Sequence, residues 1–211
     1  LDQGEVELVF DLYDREIRKE RTDDYRDISN ATSLLMRLEL EGHDVGDRWE
    51  ELADLSARRT EDGCLIFADL HYLLALTGDN RTEETGRLMA RIAEDARRTS
   101  TECDLRMARP GMDAAEGVRQ FSKGHYAEAC RHLARVSESL HLAGGSHAQR
   151  DVFERIGIDA GLRAGLIDEA EALLNRRKKR RAGRDDTFSA MRREIIAAAR
   201  NDSNACRVPA E

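Results

Sequence analysis

The chain has 211 residues, with 34 Lys and Arg against 42 Asp and Glu, and its formal net charge is −8. The 27 Ala and 23 Leu outnumber the 7 Val and 9 Ile, which favours helices over strands. This composition excludes a collagen-like chain, a disulfide scaffold and a disordered acidic tail. No apolar run approaches the roughly 18 residues of a membrane-spanning helix. We therefore expect a soluble, cytoplasmic, all-α protein with no membrane segment.

The cysteines, the net charge and the start of the chain each narrow the expectation. The four cysteines show no CxxC spacing, and reduced thiols in the cytosol are the simplest interpretation. The negative net charge makes general nucleic-acid binding an unfavoured function. The chain begins at Leu1 without a charged and apolar leader, which we interpret as a fragment that lacks an N-terminal part of the natural protein.

Apolar residues recur at spacings of three and four along most of the chain, as amphipathic helices require. In the first half, the predicted helical faces lie at 6–17, 28–38, 49–55, 65–76 and 88–96. In the second half, they lie at 112–121, 126–140, 152–160, 167–174 and 188–199. The segment 65–76 is apolar nearly all round, so we predict a helix with neighbours on both sides.

The least periodic stretch runs from Arg97 to Gly111, and it contains Pro110. We predict a loop there, at the seam between a helical half at 1–99 and a second half at 112–200, with a flexible tail at 201–211. Helix starts are predicted where a capping box fits, at Asn80 with Glu83 and at Ser146 with Gln149.

A repeated pattern follows three glycines, Gly4, Gly124 and Gly165. Each is followed by an apolar residue at +2, a small or short one at +5 and a larger one at +9. The segments are GEVELVFDLY, GHYAEACRHL and GLIDEAEALL. The pattern resembles the tetratricopeptide (TPR) motif, in which helix B opens with glycine, an aromatic residue and then alanine. Gly124 and Gly165 are 41 residues apart instead of the usual 34. The extra residues fit an inter-repeat loop at Ala143–Ser146, and an unrelated α-bundle is the alternative.

Longer segments resemble the tetratricopeptide-repeat-domain 38 family. They are YDREI, SLLMRLELEGHDVGDRWEELA, FADLHYLLAL and GGSHAQRDVFE, they lie in the family's order, and they cover most of the chain. The resemblance implies an all-helical, right-handed array of antiparallel helix pairs, an α-α superhelix. It implies no established activity. The segment RRKKRRAGRDD is less distinctive than the others.

The HAQRD run gives one group of candidate binding residues: His147, Gln149, Arg150 and Asp151. At a helix start, such residues could hold an anion or a ligand with help from the helix dipole. Capping and packing against a neighbouring repeat is the other interpretation, and the more common one.

Three further candidate binding residues lie in predicted helices. Asp69 and His71 stand in the predicted helix at 65–76, where a satisfied structural hydrogen bond is the ordinary role. Trp49 opens a helix among charged residues, and it is either a packing anchor or, if exposed, a binding hot spot.

Other motifs carry little chemistry. The six histidines show no metal-ligand spacing such as H-E-x-x-H, so we predict no metal and no cofactor. The basic run Arg176–Arg181 lacks interleaved aromatic residues, and we interpret it as a solvated helix C-terminus in preference to a nucleic-acid patch. No phosphate-binding glycine loop and no nucleophile motif is present.

The main hypothesis is a non-enzymatic scaffold that binds a peptide or partner protein on the concave face of its array. The alternative is a small-molecule-binding or hydrolytic domain, with His71, His147 and an aspartate in a pocket between repeats. A third interpretation is a homo-oligomerisation platform. Whether His71, Asp69, His147 and Arg150 line one common cavity would separate the first two.

Overall fold

The computed structural model describes residues 3–98 and 100–205, and these residues form helices and no strand. The all-α class is therefore confirmed. No helix among the described residues has the length and apolar character needed to cross a bilayer. The helices are α1 (Val6–Leu12), α2 (Tyr25–Leu40), α3 (Arg48–Ala57), α4 (Ile66–Gly78), α5 (Thr82–Arg97), α6 (Glu102–Arg106), α7 (Met112–Ser122), α8 (Tyr126–Val136), α9 (His147–Arg163), α10 (Ile167–Arg180) and α11 (Thr187–Ala205).

Three short helical segments connect them. Tyr13–Ile17 continues α1 as a wide turn, Met107–Gly111 leads into α7, and Leu140–Ala143 is a 3₁₀ turn between α8 and α9. The predicted loop at 97–111 is thus wrong for most of its length, because α6 and the Met107–Gly111 turn occupy it. Short helices such as these bury too few residues to leave a periodic pattern in the sequence.

One of the two predicted capping boxes forms. The Ser146 hydroxyl accepts from the Gln149 amide, and the Gln149 side chain accepts from the Ser146 amide, so α9 starts where expected. The Asn80 prediction is wrong, because α5 starts without a side-chain cap and Asn80 has a positive φ of 55°. In that left-handed conformation Asn80 closes the turn after α4 instead.

Consecutive helices pack as pairs, above all α7 with α8, α8 with α9, and α3 with α4, followed by α9 with α10. Two glycines allow the close approach. A Cβ at Gly117 would lie 2.6 Å from Cγ of Leu133 on the next helix, and one at Gly161 would lie 3.0 Å from Cβ of Ala170. Small residues therefore stand at these two helix contacts.

Four helices, α2, α4, α7 and α9, form the inner layer and pack on one another in a ring: α2 on α4, α4 on α7, α7 on α9, and α9 back on α2. Helices α2 and α9 run in the same direction, since Gln149 contacts Asn30 near both starts and Arg155 contacts Glu41 near the end of α2. Every residue of α4 from Ile66 to Leu76 is buried, which confirms its predicted place between neighbours.

The two halves share a hydrophobic core. One cluster of buried side chains extends from Tyr13 to Ile156, and a smaller one joins α8, α9, α10 and α11. The predicted seam therefore does not divide the buried core. At the C-terminus, α11 continues to Ala205, past the predicted start of the tail at 201, and residues 206–211 lie outside the described residues.

Candidate functional site

A surface cavity of about 310 Å³ lies at the N-terminal end of α9. It brings together two of the predicted binding residues, His147 and Arg150, with residues from the end of α8, the 3₁₀ turn and the last residue of α10. The charged and imidazole side chains that line it are Glu138, His141, His147, Arg150, Glu154 and Arg180. We call this cavity the His147 pocket.

The local sequence explains where the pocket lies. Gly144 and Gly145 have positive φ values of 98° and 70°, which turn the chain sharply before the Ser146 cap. A side chain at Gly145 would also collide with the ring of Phe67, at 2.3 Å from its Cε2. The turn therefore requires glycine, and it holds the first residue of α9, His147, in an exposed position.

Arg150 forms the floor of the pocket. Only 8% of the residue is exposed, and its Nη1 donates to the carbonyl oxygens of Gly144, at 2.8 Å, and Gly145. Burial lowers the pKa of Arg150, and the nearby charge of Arg180 acts in the same direction. Arg150 is thus fixed by the glycine turn, and its positive charge stays in the pocket.

Glu154 and Arg180 form an ion pair at the pocket wall, with Nε and Oε1 3.0 Å apart. Burial raises the pKa of Glu154, while Arg180 opposes the shift. The imidazole of His141 donates from Nδ1 to the carbonyl oxygen of Glu138 at 2.9 Å, because a carbonyl can only accept. In this tautomer its Nε2 is an acceptor, and the ring of His147 is exposed to a ligand.

The other two residues of the HAQRD run have structural roles. Gln149 closes the capping box and donates from Nε2 to Asn30 on α2 at 3.4 Å. Asp151 is 8% exposed and accepts from Arg155 and Arg177, away from the His147 pocket.

Asp151 belongs to a buried ion-pair network that joins α2, α9, α10 and α11. Its arginines surround the Phe188 ring, with the guanidinium carbons of Arg155, Arg177 and Arg192 at 4.5, 5.3 and 4.0 Å from the ring centroid. The interpretation of the basic run as solvated is therefore wrong at Arg177, which is 1% exposed. Because α10 ends at Arg180, the run does end a helix as predicted.

His71 lies in the core between α2, α4 and α9, with none of its surface exposed. Its Nδ1 donates to the carbonyl oxygen of Phe67 at 2.7 Å, and its Nε2 accepts from the Ser33 hydroxyl at 3.1 Å. Phe67 and Phe153 flank the ring. Burial lowers the pKa of His71 to about 4, so the ring is neutral.

Asp69 is also buried, at 1% exposure, and pairs with Arg91 on α5. Burial raises the pKa of Asp69 to about 6 against the opposing effect of Arg91. Neither His71 nor Asp69 lines the His147 pocket. The structure therefore does not bring the two histidines of the alternative hypothesis into one cavity.

Trp49 is 3% exposed and acts as a packing anchor. Its Nε1 donates to Glu39 at 2.7 Å, and its ring lies against Gly78, where a Cβ would come within 2.5 Å of Cδ2. A cavity of about 230 Å³ lies on the other side of Gly78 and Glu39, between the inner helices. Trp49 itself does not line it.

Among residues 3–98 and 100–205, no group of three or more His, Cys, Asp or Glu side chains could hold a metal ion. Cys64, Cys103 and Cys130 are free thiols, and Cys206 lies outside the described residues.

Sequence reasoning missed six of the eight residues that line the His147 pocket, among them Glu154, His141 and Arg180. Glu154 stands four residues after Arg150, on the same side of α9, which is a signal that could have found it. His141 and Arg180 come from other segments, and nothing in their local sequence links them to His147.

Comparison with known proteins adds no family to this picture. No model of a known protein family matches the chain, and no solved structure matches it.

Proposed function

We propose that this chain is a TPR-like interaction module that binds an acidic segment of a partner protein at the His147 pocket. The observation that carries the proposal is the meeting of His141, His147, Arg150 and Arg180, from three separate segments, at the start of α9. The start of a helix carries positive partial charge, and guanidinium groups bind carboxylates by charge-assisted hydrogen bonds. Arg150, Arg180 and the exposed ring of His147 supply the donors for an Asp or Glu side chain of a partner.

The TPR-like, right-handed array and the kinship with the tetratricopeptide-repeat-domain 38 family are part of the proposal. Two features of the helix packing support the repeated array. The pairs α7–α8 and α9–α10 follow one another, and each places a glycine, Gly117 or Gly161, against the next helix. Free thiols at Cys64, Cys103 and Cys130 support a cytoplasmic location.

The position of the pocket modifies the expected mode of binding. The inner helices α2, α4, α7 and α9 pack on one another, and the cavity left between them holds only about 230 Å³. We therefore place partner binding at the exposed rim, where the connections between helices open the His147 pocket, and not along a concave inner groove.

A peptide array tests this function. The purified chain is incubated with arrayed peptides of varied sequence, and we expect binding to require Asp or Glu at a fixed position. His147→Ala should weaken the best peptide about 3- to 10-fold, as expected for one lost hydrogen bond to a carboxylate. Arg180→Gln should weaken it by a similar factor.

His125→Ala is the matched control. His125 is exposed and precedes α8, as His147 opens α9, but it contacts Gln120 and lies outside the pocket. Wild-type affinity in His125→Ala together with loss in His147→Ala supports the site. Binding without acidic preference, or equal binding by both variants, contradicts it.

A further inference from the structure

Two exposed thiols lie next to each other at the surface, where α6 meets the turn that precedes α4. Cys64 and Cys103 are 39 residues apart in the sequence, and both are exposed free cysteines. The thiol of Cys103 donates to the backbone carbonyl oxygen of Cys64, with Sγ and O 3.5 Å apart. Neither residue lines the His147 pocket. We call them the Cys64–Cys103 pair.

This contact limits the distance between the two sulfur atoms. With standard bond lengths, the sulfur of a cysteine lies within about 5 Å of its own carbonyl oxygen. Since the Cys103 sulfur is 3.5 Å from the Cys64 oxygen, the two sulfurs are at most about 8.5 Å apart. Turning one cysteine between staggered rotamers moves its sulfur by about 3 Å, so rotation of both exposed side chains can cover most of this distance. A disulfide is therefore within reach of the pair.

Packing beneath the surface holds the two cysteine-bearing segments together. Nε of Arg91 on α5 donates to the carbonyl oxygen of Thr60 at 3.1 Å, four residues before the first cysteine. Nη1 of Arg91 lies 3.9 Å from the sulfur of Met107, the first residue after α6. The turn after α6 also packs on the start of α4, because a Cβ at Gly111 would come within 2.8 Å of Cγ1 of Ile66. The two thiols thus meet because their segments share these supports.

The remaining described cysteine, Cys130, lies in a different environment. It is 1% exposed and belongs to the core cluster of α8, α9, α10 and α11. Burial raises the pKa of the Cys130 thiol to about 11. Because the thiolate is the reactive form and a reagent must reach it, Cys130 is an unreactive reference inside the same chain.

We propose that the Cys64–Cys103 pair is a reversible oxidation site, at which a small disulfide such as oxidised glutathione forms an intramolecular disulfide. One cysteine thiolate attacks a sulfur of oxidised glutathione, which gives a mixed disulfide and releases one glutathione thiolate. The second cysteine thiolate attacks the protein sulfur of the mixed disulfide, closes the Cys64–Cys103 bond and releases the second glutathione thiolate. The two protons lost by the protein thiols pass to the two glutathione thiolates. Two protein thiols are thus oxidised, and one glutathione disulfide is reduced.

The disulfide closes a loop that contains α4 and α5. Such a bond stabilises a protein mainly by restricting the unfolded chain, and more so for a longer loop. The two cysteines are 39 residues apart, so the oxidised chain should unfold at a midpoint about 4–12 °C above that of the reduced chain. Oxidation of the pair is therefore measurable as thermal stability as well as by chemistry.

Peptide mapping tests the proposal. The purified chain is incubated with oxidised glutathione, the remaining thiols are alkylated after denaturation, and tryptic peptides are identified by mass spectrometry. Each cysteine lies in a tryptic peptide of its own, at 60–81, 99–106, 124–131 or 201–207. We expect 60–81 to be linked to 99–106 within one chain, dithiothreitol to separate them, and Cys130 to be recovered as the alkylated thiol.

Cys103→Ser removes one partner at an exposed position. In this variant Cys64 should remain as the mixed disulfide with glutathione, because no second thiol displaces it, and the rise in the unfolding midpoint should disappear. Cys130→Ala is the matched control, and it should form the same link as the wild type. Circular dichroism verifies that each variant is folded.

Three results overturn the proposal. They are stable glutathione adducts on both cysteines without a link between 60–81 and 99–106, no reaction of either cysteine, and a link that joins two chains or involves another cysteine. An equal rise in the unfolding midpoint for Cys103→Ser and wild type also contradicts it. None of these results depends on acidic peptides at the His147 pocket, so the two proposals fail separately.

Discussion

Arg177 and Asp151 form a two-point ion pair inside the protein, with Nε 2.6 Å from Oδ1 and Nη2 3.0 Å from Oδ2. The same guanidinium reaches Asp186, whose Oδ1 also accepts from the Ser189 amide at the start of α11. Although burial opposes it, hydrogen bonding to Asp186 and Asp151 raises the pKa of Arg177 above its ordinary value. One side chain of α10 thus holds α9 and α11 in position.

Replacing Arg177 tests this network. Arg177→Ala leaves buried carboxylates without a main partner, and breaking a buried pair in this way costs about 3–5 kcal/mol. We expect a clear fall in the free energy of unfolding, measured by urea denaturation. Lys179→Ala, at an exposed position of the same basic run, should change it by less than about 0.5 kcal/mol. Equal unfolding midpoints for the two variants would contradict the network's role.

Gly78→Ala tests the contact between α3 and α4. The added Cβ would lie 2.5 Å from Cδ2 of Trp49, inside the core, so the indole ring must move. Overpacking of this kind costs about 1–3 kcal/mol. Because Trp49 is the only tryptophan, its fluorescence should shift as well. Gly86→Ala, where a Cβ meets nothing within 4 Å, should instead stabilise α5 by roughly 0.5–1 kcal/mol. Destabilisation by both variants would argue against the packing account.

The buried neutral ring of His71 makes stability depend on pH. Burial lowers the pKa of His71 from 6.5 to about 4. Between these values the unfolded chain binds a proton that the folded chain does not. The contribution of His71 to stability is therefore complete above pH 6.5 and is lost as the pH falls toward 4. At about 1.4 kcal/mol per pKa unit, the free energy of unfolding should fall by on the order of 3 kcal/mol over this range.

His71→Asn isolates this effect, because the amide can still donate to Phe67 but does not titrate. Its free energy of unfolding should fall less than that of the wild type between pH 6.5 and 4. The comparison is needed because Asp69 acts in the opposite direction. Burial raises the pKa of Asp69 from 3.8 to about 6, so its contribution declines as the pH rises through that range. Parallel pH curves for wild type and His71→Asn would exclude the titration of His71.

Ser146→Ala tests the cap at the start of α9, the helix that begins with His147. It removes the acceptor of the Gln149 amide, at 3.3 Å, and should cost about 1 kcal/mol in thermal or urea unfolding. Ser122→Ala is the control, since that hydroxyl donates to the Arg119 carbonyl at the end of α7 and caps no helix start. A cost no larger than that of Ser122→Ala would contradict the capping role.

Local patterns predicted the features that depend on near neighbours in the chain. The period of apolar residues located the main helices, because each of them buries a face over several turns. The Ser146 box was predictable because both of its partners lie within four residues. Trp49 was correctly expected to act as a packing anchor, since its ring is large and apolar enough to be buried at the start of a helix.

Features that depend on distant segments escaped prediction. Arg177 looks like the other five members of its basic run, and only the approach of Asp151 and Asp186 makes it a core residue. His141 and Arg180 join His147 because α8, α9 and α10 pack together. The sequence near Tyr13 and Arg18 gives no signal of the cavity of about 810 Å³ beside them, because α3 supplies the other wall of that cavity.

The sequence by itself thus determined an all-α protein with glycine-marked helix pairs, because helix formation and helix ends follow from residue spacing and local hydrogen bonds. The tertiary structure decided which charged residues are buried in pairs and which remain at the surface to bind. A charge is acceptable in the core only when an opposite charge reaches it, and that partner comes from another helix. The candidate sites are therefore set by how the helices pack, and not by any one of them.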